Sequence, residues 1–305
     1  MFMKKLCVFL ILIVPLLAHG SGTTIDPTNY AAWGANIGWT NWLADSSADG
    51  VIVGQYVCSG WIYAANVGWI NMGTAFTPSA GHIQYTNASA TDFGVNVQYD
   101  PTQPGYAILR GYAYGANIGW INFESTGNPR VSFFTGVLSG YAYSANCGWI
   151  NLNGLDSGSV LRYVQTDHIA VNDSNGNGIP DEWELTYFGA LLAPGAQNNQ
   201  GSNGNGMTIL QDYQAGISPL IPNNGLRITA YSTNSGGTSS LITFTSTTAR
   251  LYTIEVNTDL TLPLNWTDSG LGIFAPDQGS STTRNVTQAS AATKFFRVKT
   301  TPPLP

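Results

Sequence analysis

The sequence predicts a mainly β protein, and three observations support this prediction. Only 9% of the 305 residues are charged, while 12% are aromatic and 35 are glycine, which is typical of short strands joined by tight turns. A motif of Ala-Asn-x-Gly-Trp recurs four times between residues 30 and 152, and residues 226–299 contain β-branched and aromatic runs separated by turn residues. We therefore predict a repeat-built antiparallel β domain, a short loop-helix connector and a C-terminal β-sandwich.

Residues 1–20 have the features of a signal peptide. Two lysines precede an apolar run over residues 6–17, and Ala18 and Gly20 fit the small-x-small rule for cleavage after Gly20. The apolar run is shorter than the roughly 20 residues that a helix needs to cross a bilayer. We expect a secreted, extracellular protein with no membrane span after the signal peptide is cleaved.

The charge balance limits the classes of partner. The formal net charge is −6, from 11 basic and 17 acidic residues, and it falls to −8 once Lys4 and Lys5 are removed with the signal peptide. An acidic chain with few lysines is unsuited to nucleic acid or to anionic lipid, because both carry negative charge. Divalent cations are the better match.

Residues 21–170 are predicted to form the repeat domain. Each repeat core alternates small and aromatic residues before an Asn-x-Gly turn and resumes with Trp, then Ile or Thr, then Asn, which is the pattern of a β-hairpin. Asn tolerates left-handed backbone angles and Gly accepts them freely, so both are expected to shape the turn. A single hairpin cannot bury its apolar face, so neighbouring repeats are expected to cover one another. The four cores are residues 33–41, 63–71, 114–122 and 143–151.

One tryptophan recurs at the same position of each core, and the four are Trp39, Trp69, Trp120 and Trp149. A tryptophan at a fixed repeat position is expected to pack in a core, because its ring buries a large apolar area. The alternative is that aromatic rings lie exposed on a sheet and stack on sugars. Trp33 and Trp61 are candidates for such ligand stacking, and we align both with Tyr114 and Tyr143 of the other cores.

Two cysteines, Cys58 and Cys147, remain after cleavage. An oxidising compartment would allow them to form a disulfide. Cys58 precedes a repeat core whereas Cys147 lies inside one, so their positions in the repeats differ. The sequence leaves both outcomes open, a disulfide or two free thiols.

Residues 171–222 are predicted to form the connector, and they contain a candidate calcium loop. In a twelve-residue calcium loop, oxygens stand at positions 1, 3, 5, 7, 9 and 12, with glycine at position 6. Residues 173–184 fill every position, with Gly178 at position 6. The alternative is an Asn-Gly turn that caps a helix without metal. The predicted calcium ligands are Asp173, Asn175, Asn177, the backbone carbonyl of Ile179, Asp181 and Glu184.

The loop DSNGNGIPDEWE resembles the calcium-binding repeats of the thrombospondin type 3 and dockerin-like group. Pro180 stands where a paired EF-hand uses a residue with a free N–H, and no helix is predicted before Asp173, so the pattern is not that of a calmodulin-type sensor. A second loop lacks side-chain oxygens at Gly201 and Ile209, and is expected to bind calcium weakly or not at all. Because a true dockerin needs two competent loops, the resemblance favours calcium binding over dockerin-type docking. The second loop offers Asn203, Asn205, the carbonyl of Met207 and Asp212.

Residues 223–305 are predicted to form the C-terminal β-sandwich-like domain, because four strand-like runs alternate with turn residues. The run LYTIEVNTDL, the nearby Trp266 and the run FFRV resemble the C-terminal β-domain found on many large exported bacterial proteins.

The sequence contains no evident catalytic arrangement. His82 and His168 lie in no nucleophile or metal motif, and the acidic residues cluster in the calcium loop. We therefore expect a secreted calcium-binding structural or adhesion protein without catalytic activity. The alternative is an extracellular carbohydrate-binding module that uses the repeat tryptophans. Extracellular polysaccharide or cell-surface components are the expected partners.

Overall fold

A computed structural model describes residues 22–44, 49–73, 83–156, 158–262, 265–288 and 293–301. The predicted signal peptide and His82 lie outside the described residues. The chain divides into two compact units, the first formed by residues 22–100 and 106–194 and the second by residues 101–105 and 195–301. No helix in the described ranges is long and apolar enough to cross a membrane.

The protein is mainly β, with 45% of the described residues in strands and 8% in helices. This confirms the predicted fold class. The described part of the first unit contains strands β1 (Ile25–Gly34), β2 (Gly38–Asn41), β3 (Ile52–Val53), β4 (Cys58–Ala64), β5 (Gly68–Gly73), β6 (Val95–Tyr99), β7 (Tyr106–Gly115), β8 (Gly119–Asn122), β9 (Arg130–Ser132), β10 (Leu138–Ser139), β11 (Tyr141–Ser144), β12 (Gly148–Asn151), β13 (Asn153–Leu155) and β14 (Leu161–Thr166), a 3₁₀ helix (Ser125–Gly127) and helix α1 (Asp181–Phe188).

Eight strands of the first unit form a closed ring. They are four antiparallel hairpins, which we number in chain order: β1–β2, β4–β5, β7–β8 and β11–β12. Each hairpin also pairs with the next one, through β2–β4, β5–β7 and β8–β11, and β12 returns to β1. Strands β6 and β9 extend β7, and β14 extends β1. The predicted repeat hairpins are therefore all present, and each pairs with a neighbouring hairpin on both sides.

The turns of the four hairpins share one geometry. The glycine before each repeat tryptophan has a positive φ, between 72° and 81°, which ends a three-residue loop and starts the return strand. The Asn of the turn can tolerate a left-handed conformation, but none of the four has a positive φ, so glycine alone supplies it here. Their side chains instead donate hydrogen bonds to the preceding hairpin.

The inside of the ring is filled with apolar side chains, mostly aliphatic, with Trp42 and Phe123 among them. Residues that follow the repeat tryptophans, such as Ile70 and Ile121, are buried there together with Ala113 and Ala142 of the opposing strands. An eight-stranded ring leaves an interior just wide enough for side chains of this size.

The second unit contains two three-stranded antiparallel sheets, β15-β16-β19 and β18-β17-β20. Phe244 of β16 and Tyr252 of β17 belong to one apolar cluster, so the two sheets share a core. Met207 and Ala215, from the second loop and its helix, pack into the same cluster. The elements are a 3₁₀ helix (Ala196–Asn198), helix α2 (Ile209–Ala215), and strands β15 (Ile228–Thr233), β16 (Ser239–Thr245), β17 (Leu251–Asn257), β18 (Thr267–Asp268), β19 (Ser281–Thr287) and β20 (Phe295–Thr301).

The two helices begin and end as their sequences indicate. Pro180 occupies the N-cap position of α1 without a side-chain hydrogen bond, and Gly189 ends the helix with a φ of 71°. Thr208 starts α2 with a capping box that involves Gln211, and Gly216 ends it with a φ of 70°. The first loop and α1 belong to the first unit, whereas the second loop and α2 belong to the second.

Candidate functional site

The repeat tryptophans lie on the outside of the ring. They expose between 38% and 45% of their surface, so the expectation that they pack in a core was wrong. Successive side chains of a strand point to opposite faces, and the isoleucine or threonine that follows each tryptophan occupies the narrow interior. We call the outward rings of the four hairpins the aromatic belt, and its members are Trp33, Trp39, Trp61, Tyr63, Trp69, Tyr112, Tyr114, Trp120, Tyr141, Tyr143 and Trp149.

Each hairpin holds one tight aromatic pair across its two strands. The ring centroids of Trp33 and Trp39 lie 4.8 Å apart, and those of Tyr63 and Trp69 lie 5.2 Å apart. The equivalent pairs in the third and fourth hairpins are both separated by 4.9 Å. The rings are tilted by about 60° in every pair, the edge-to-face arrangement that aromatic quadrupoles favour.

The strand register corrects the alignment of Trp61. Trp33 lies opposite Trp39 in the first hairpin, as Tyr114 lies opposite Trp120 in the third. In the second hairpin this place belongs to Tyr63, and Trp61 lies two residues earlier, where the other hairpins have Tyr112 and Tyr141. Both stacking candidates are exposed, Trp33 at 37% and Trp61 at 41%.

The belt carries no charged side chain. Over residues 31–41, 61–71, 112–122 and 141–151, the outward positions of the paired strands hold aromatic residues and asparagines, and an alanine at position 31. Arg110, two residues before Tyr112 on β7, is half-buried. An asparagine lies two residues after each repeat tryptophan, beside the aromatic rings of the neighbouring hairpin, for example Asn71 opposite Tyr114. Its Oδ1 accepts a backbone N–H two residues later, as in the bond from Gly73 to Asn71 of 2.9 Å. The surface therefore combines exposed apolar rings with neutral amides.

A second set of asparagines fixes the hairpins to one another. The Asn of each turn donates its Nδ2 to a backbone carbonyl of the preceding hairpin around the ring. The four bonds measure 3.0 to 3.1 Å and form a closed cycle: Asn36 to Cys147, Asn66 to Ile37, Asn117 to Val67 and Asn146 to Ile118. Each bond passes close to a turn glycine, where a Cβ would lie 3.3 to 3.6 Å from the asparagine nitrogen. The four hairpins that carry the belt are thus connected by a closed cycle of hydrogen bonds.

The first predicted metal loop gathers its ligands around Glu184. Asn175 donates its Nδ2 to this carboxylate at 3.0 Å, and Asn177 donates to its other oxygen. Asp173 accepts two backbone N–H groups within the loop, and Asp181 accepts a third from Ser174. Glu184 is fully buried, and burial raises its pKa.

The second loop repeats this arrangement with one carboxylate. Asn203 donates its Nδ2 to Asp212 at 2.9 Å, and Asn205 donates to the other oxygen at 2.6 Å. Asp212 is fully buried, and burial raises its pKa to about 6. Gly201, at the first ligand position, brings no carboxylate. Across the described residues, no three His, Cys, Asp or Glu side chains come together, so a cation in either loop would depend on amide and backbone oxygens as well.

The two cysteines are free thiols in the structure, so the disulfide considered from the sequence is not formed. Cys58 lies at the start of β4 with its side chain fully buried, and burial raises its pKa to about 12. Cys147 is buried in the turn of the fourth hairpin, where its backbone carbonyl accepts the bond from Asn36.

Comparison with known proteins gave no family: no family model matches the chain, and no curated protein or solved structure does.

Three belt residues escaped the sequence analysis, namely Tyr63, Tyr112 and Tyr141. The signal that identifies them is the period of two along each strand, because they lie an even number of residues from the outward ring of their strand. The period alone does not show which face of the strand points outward. That face is identified only when the residues that fill the inside of the ring are known.

Proposed function

We propose that the chain is an exported, non-catalytic adhesion protein that binds neutral polysaccharide through the aromatic belt. The observation that carries this proposal is the exposure of all four repeat tryptophans, at 38% to 45%. Soluble proteins rarely leave so many large apolar side chains together on the surface without a partner. The exposed aromatic surface therefore favours the carbohydrate-binding alternative over a purely structural role.

The chemistry of the belt favours sugar over other partners. A pyranose ring has an apolar face of C–H groups that can stack on an aromatic ring, and hydroxyl groups around its edge. Aromatic side chains offer rigid apolar area, and tyrosine hydroxyls and asparagine amides offer hydrogen bonds. The absence of charged side chains from the aromatic belt favours a neutral chain over nucleic acid or an acidic polymer.

A sedimentation assay on insoluble polysaccharides tests the proposal. The protein is mixed with a panel that includes cellulose, chitin and xylan, and the bound fraction is measured. Wild type is expected to bind at least one of them, and the variant in which Trp39, Trp69, Trp120 and Trp149 are replaced by alanine is expected to remain in solution.

Phe134→Ala is the matched control, because Phe134 is a large exposed ring of the first unit that lies outside the belt. It is expected to bind as wild type does. Wild type that binds no member of a broad panel would overturn the proposal. Self-association of wild type without polysaccharide, detected by light scattering, would instead identify a second copy of the chain as the occupant of the belt.

We further propose that calcium binds the first loop and stiffens it. Three features support this: a complete set of oxygen ligands, a glycine with a φ of 84° at position 6, and a buried carboxylate at position 12. Asp173, Asn175, Asn177, Asp181, Glu184 and the carbonyl of Ile179 would hold the ion. A ligand that binds only the folded state adds stability, which is the role that we assign to calcium here.

A further inference from the structure

The four hairpins of the ring are not equally exposed, although they share one frame. The second hairpin presents three exposed rings, Trp61, Tyr63 and Trp69, at 37% to 41%. The fourth hairpin presents the corresponding three rings at 41% to 46%, and they are Tyr141, Tyr143 and Trp149. In both, the third ring lies about 6 Å from the tryptophan, at 6.2 Å and 6.1 Å between centroids.

The first hairpin lacks the third ring, and in the third hairpin this ring is present but half-buried. In the first, Ala31 occupies the place of the third aromatic residue. In the third, Tyr112 is half-buried, and the ring of Phe93 lies 5.1 Å from that of Trp120, which itself remains 45% exposed. Only the second and fourth hairpins therefore offer an open surface of three rings.

The closed ring places the two complete clusters on opposite sides. The hairpins follow one another around the ring in chain order, so the first hairpin separates the second from the fourth on one side, and the third separates them on the other. Among the described residues, every aromatic contact of the belt stays within one hairpin or involves Phe93. The clusters are thus separate surfaces.

We infer that the chain is a bivalent polysaccharide cross-linker, with one binding site on the second hairpin and one on the fourth. This inference rests on the proposed function, since it specifies how the belt binds. A straight polysaccharide segment that lies on one cluster cannot reach the opposite one, so the two sites take two different segments. The ligand class is a neutral chain of β-1,4-linked pyranoses, whose successive rings alternate in orientation and display flat C–H faces. Two sites of modest affinity on one rigid frame hold a polymer more tightly than either does alone.

Isothermal titration with a β-1,4-linked glucose hexasaccharide tests the number of sites. Wild type is expected to take up two molecules per chain with one affinity. Trp69→Ala and Trp149→Ala are each expected to take up one molecule with unchanged affinity, and the double variant none. Phe134→Ala is the matched control and is expected to retain both sites.

Light scattering with soluble hydroxyethyl cellulose tests cross-linking in the same proteins. Wild type and Phe134→Ala are expected to raise the scattering, whereas each single variant is expected to bind the polymer without raising it. A stoichiometry of one or of four in wild type, or single variants that cross-link as wild type does, would overturn the bivalent assignment and leave the proposed function intact. No uptake of hexasaccharide together with no binding to any insoluble polysaccharide would overturn both.

Discussion

At the scale of single residues, the repeat motif is explained by what each position contacts. The turn glycine supplies the positive φ, the turn asparagine bonds to the preceding hairpin, the tryptophan faces outward, and the isoleucine or threonine fills the interior. The sequence predicted the glycine correctly, because its conformation is a local property. It could not predict the hydrogen bond of the turn asparagine, because the acceptor carbonyl lies on another hairpin. For Asn66, this carbonyl is 29 residues away in the sequence.

The asparagine bonds are expected to stabilise the ring measurably. Asn66→Ala removes the donor to the Ile37 carbonyl, and we expect the free energy of unfolding to fall by about 1 kcal/mol. Asn66→Asp should cost at least as much, because it places a carboxylate oxygen near that carbonyl. Urea unfolding followed by circular dichroism measures both. If neither variant differs from wild type, the closed cycle of bonds does not support the ring.

At the scale of elements, the first metal loop was the feature most accessible from sequence. All its predicted ligands fall within twelve consecutive residues, so no knowledge of the fold was needed to find them. The second loop was harder to judge. It places Asn203, Asn205 and Asp212 as the first places Asn175, Asn177 and Glu184. It differs at Gly201 and Ile209, which stand where the first loop has Asp173 and Asp181.

Calcium is expected to stabilise the protein through the first loop. Exported modules bind calcium with dissociation constants of about 10⁻⁴ to 10⁻³ M, so about 10 mM calcium should add about 1–3 kcal/mol of stability. Thermal unfolding with and without calcium measures this gain. Glu184→Gln should abolish most of it. Glu182→Gln, a change of the neighbouring buried carboxylate that occupies no ligand position, should retain it. If calcium does not change the melting temperature of wild type, the site is ruled out.

The sandwich of the second unit is expected to lose stability in alkali through Tyr252. This side chain is fully buried between the sheets, where its hydroxyl accepts the N–H of Thr247 at 2.8 Å, and burial raises its pKa to about 12. The unfolded chain ionises at a pKa of about 10, so the stabilising contribution is complete below pH 10 and is lost as the pH rises to about 12.

Chemical denaturation between pH 8 and about 12 measures this loss, which we expect to reach about 2–3 kcal/mol. Tyr252→Phe should start less stable, because a buried hydrogen bond is gone, and should then lose less with pH. Tyr231→Phe removes an exposed hydroxyl of the same unit and should keep the full loss. If the free energy of unfolding falls equally with pH in all three proteins, the assignment to Tyr252 is contradicted.

At the scale of the whole molecule, the closure of the ring decides the function that we propose. The sequence predicted four hairpins from their repeated alternation, but the pairing of β12 with β1 joins residues more than a hundred positions apart, and no local pattern encodes it. Without closure, the repeat tryptophans were expected inside a core. With closure, the residues that follow them fill the interior, and the same alternation places the four tryptophans outside.

Hydroxyl-radical footprinting with mass spectrometry tests the central claim most directly, because it reports the exposure and the contacts of each ring in one experiment. In the free protein, the repeat tryptophans should be oxidised readily and the buried Trp42 slowly. In the presence of a saturating polysaccharide identified by sedimentation, oxidation should fall at Trp69 and Trp149 and remain unchanged at Phe134. Protection that is absent from the belt, or repeat tryptophans that resist oxidation as Trp42 does, would contradict the account.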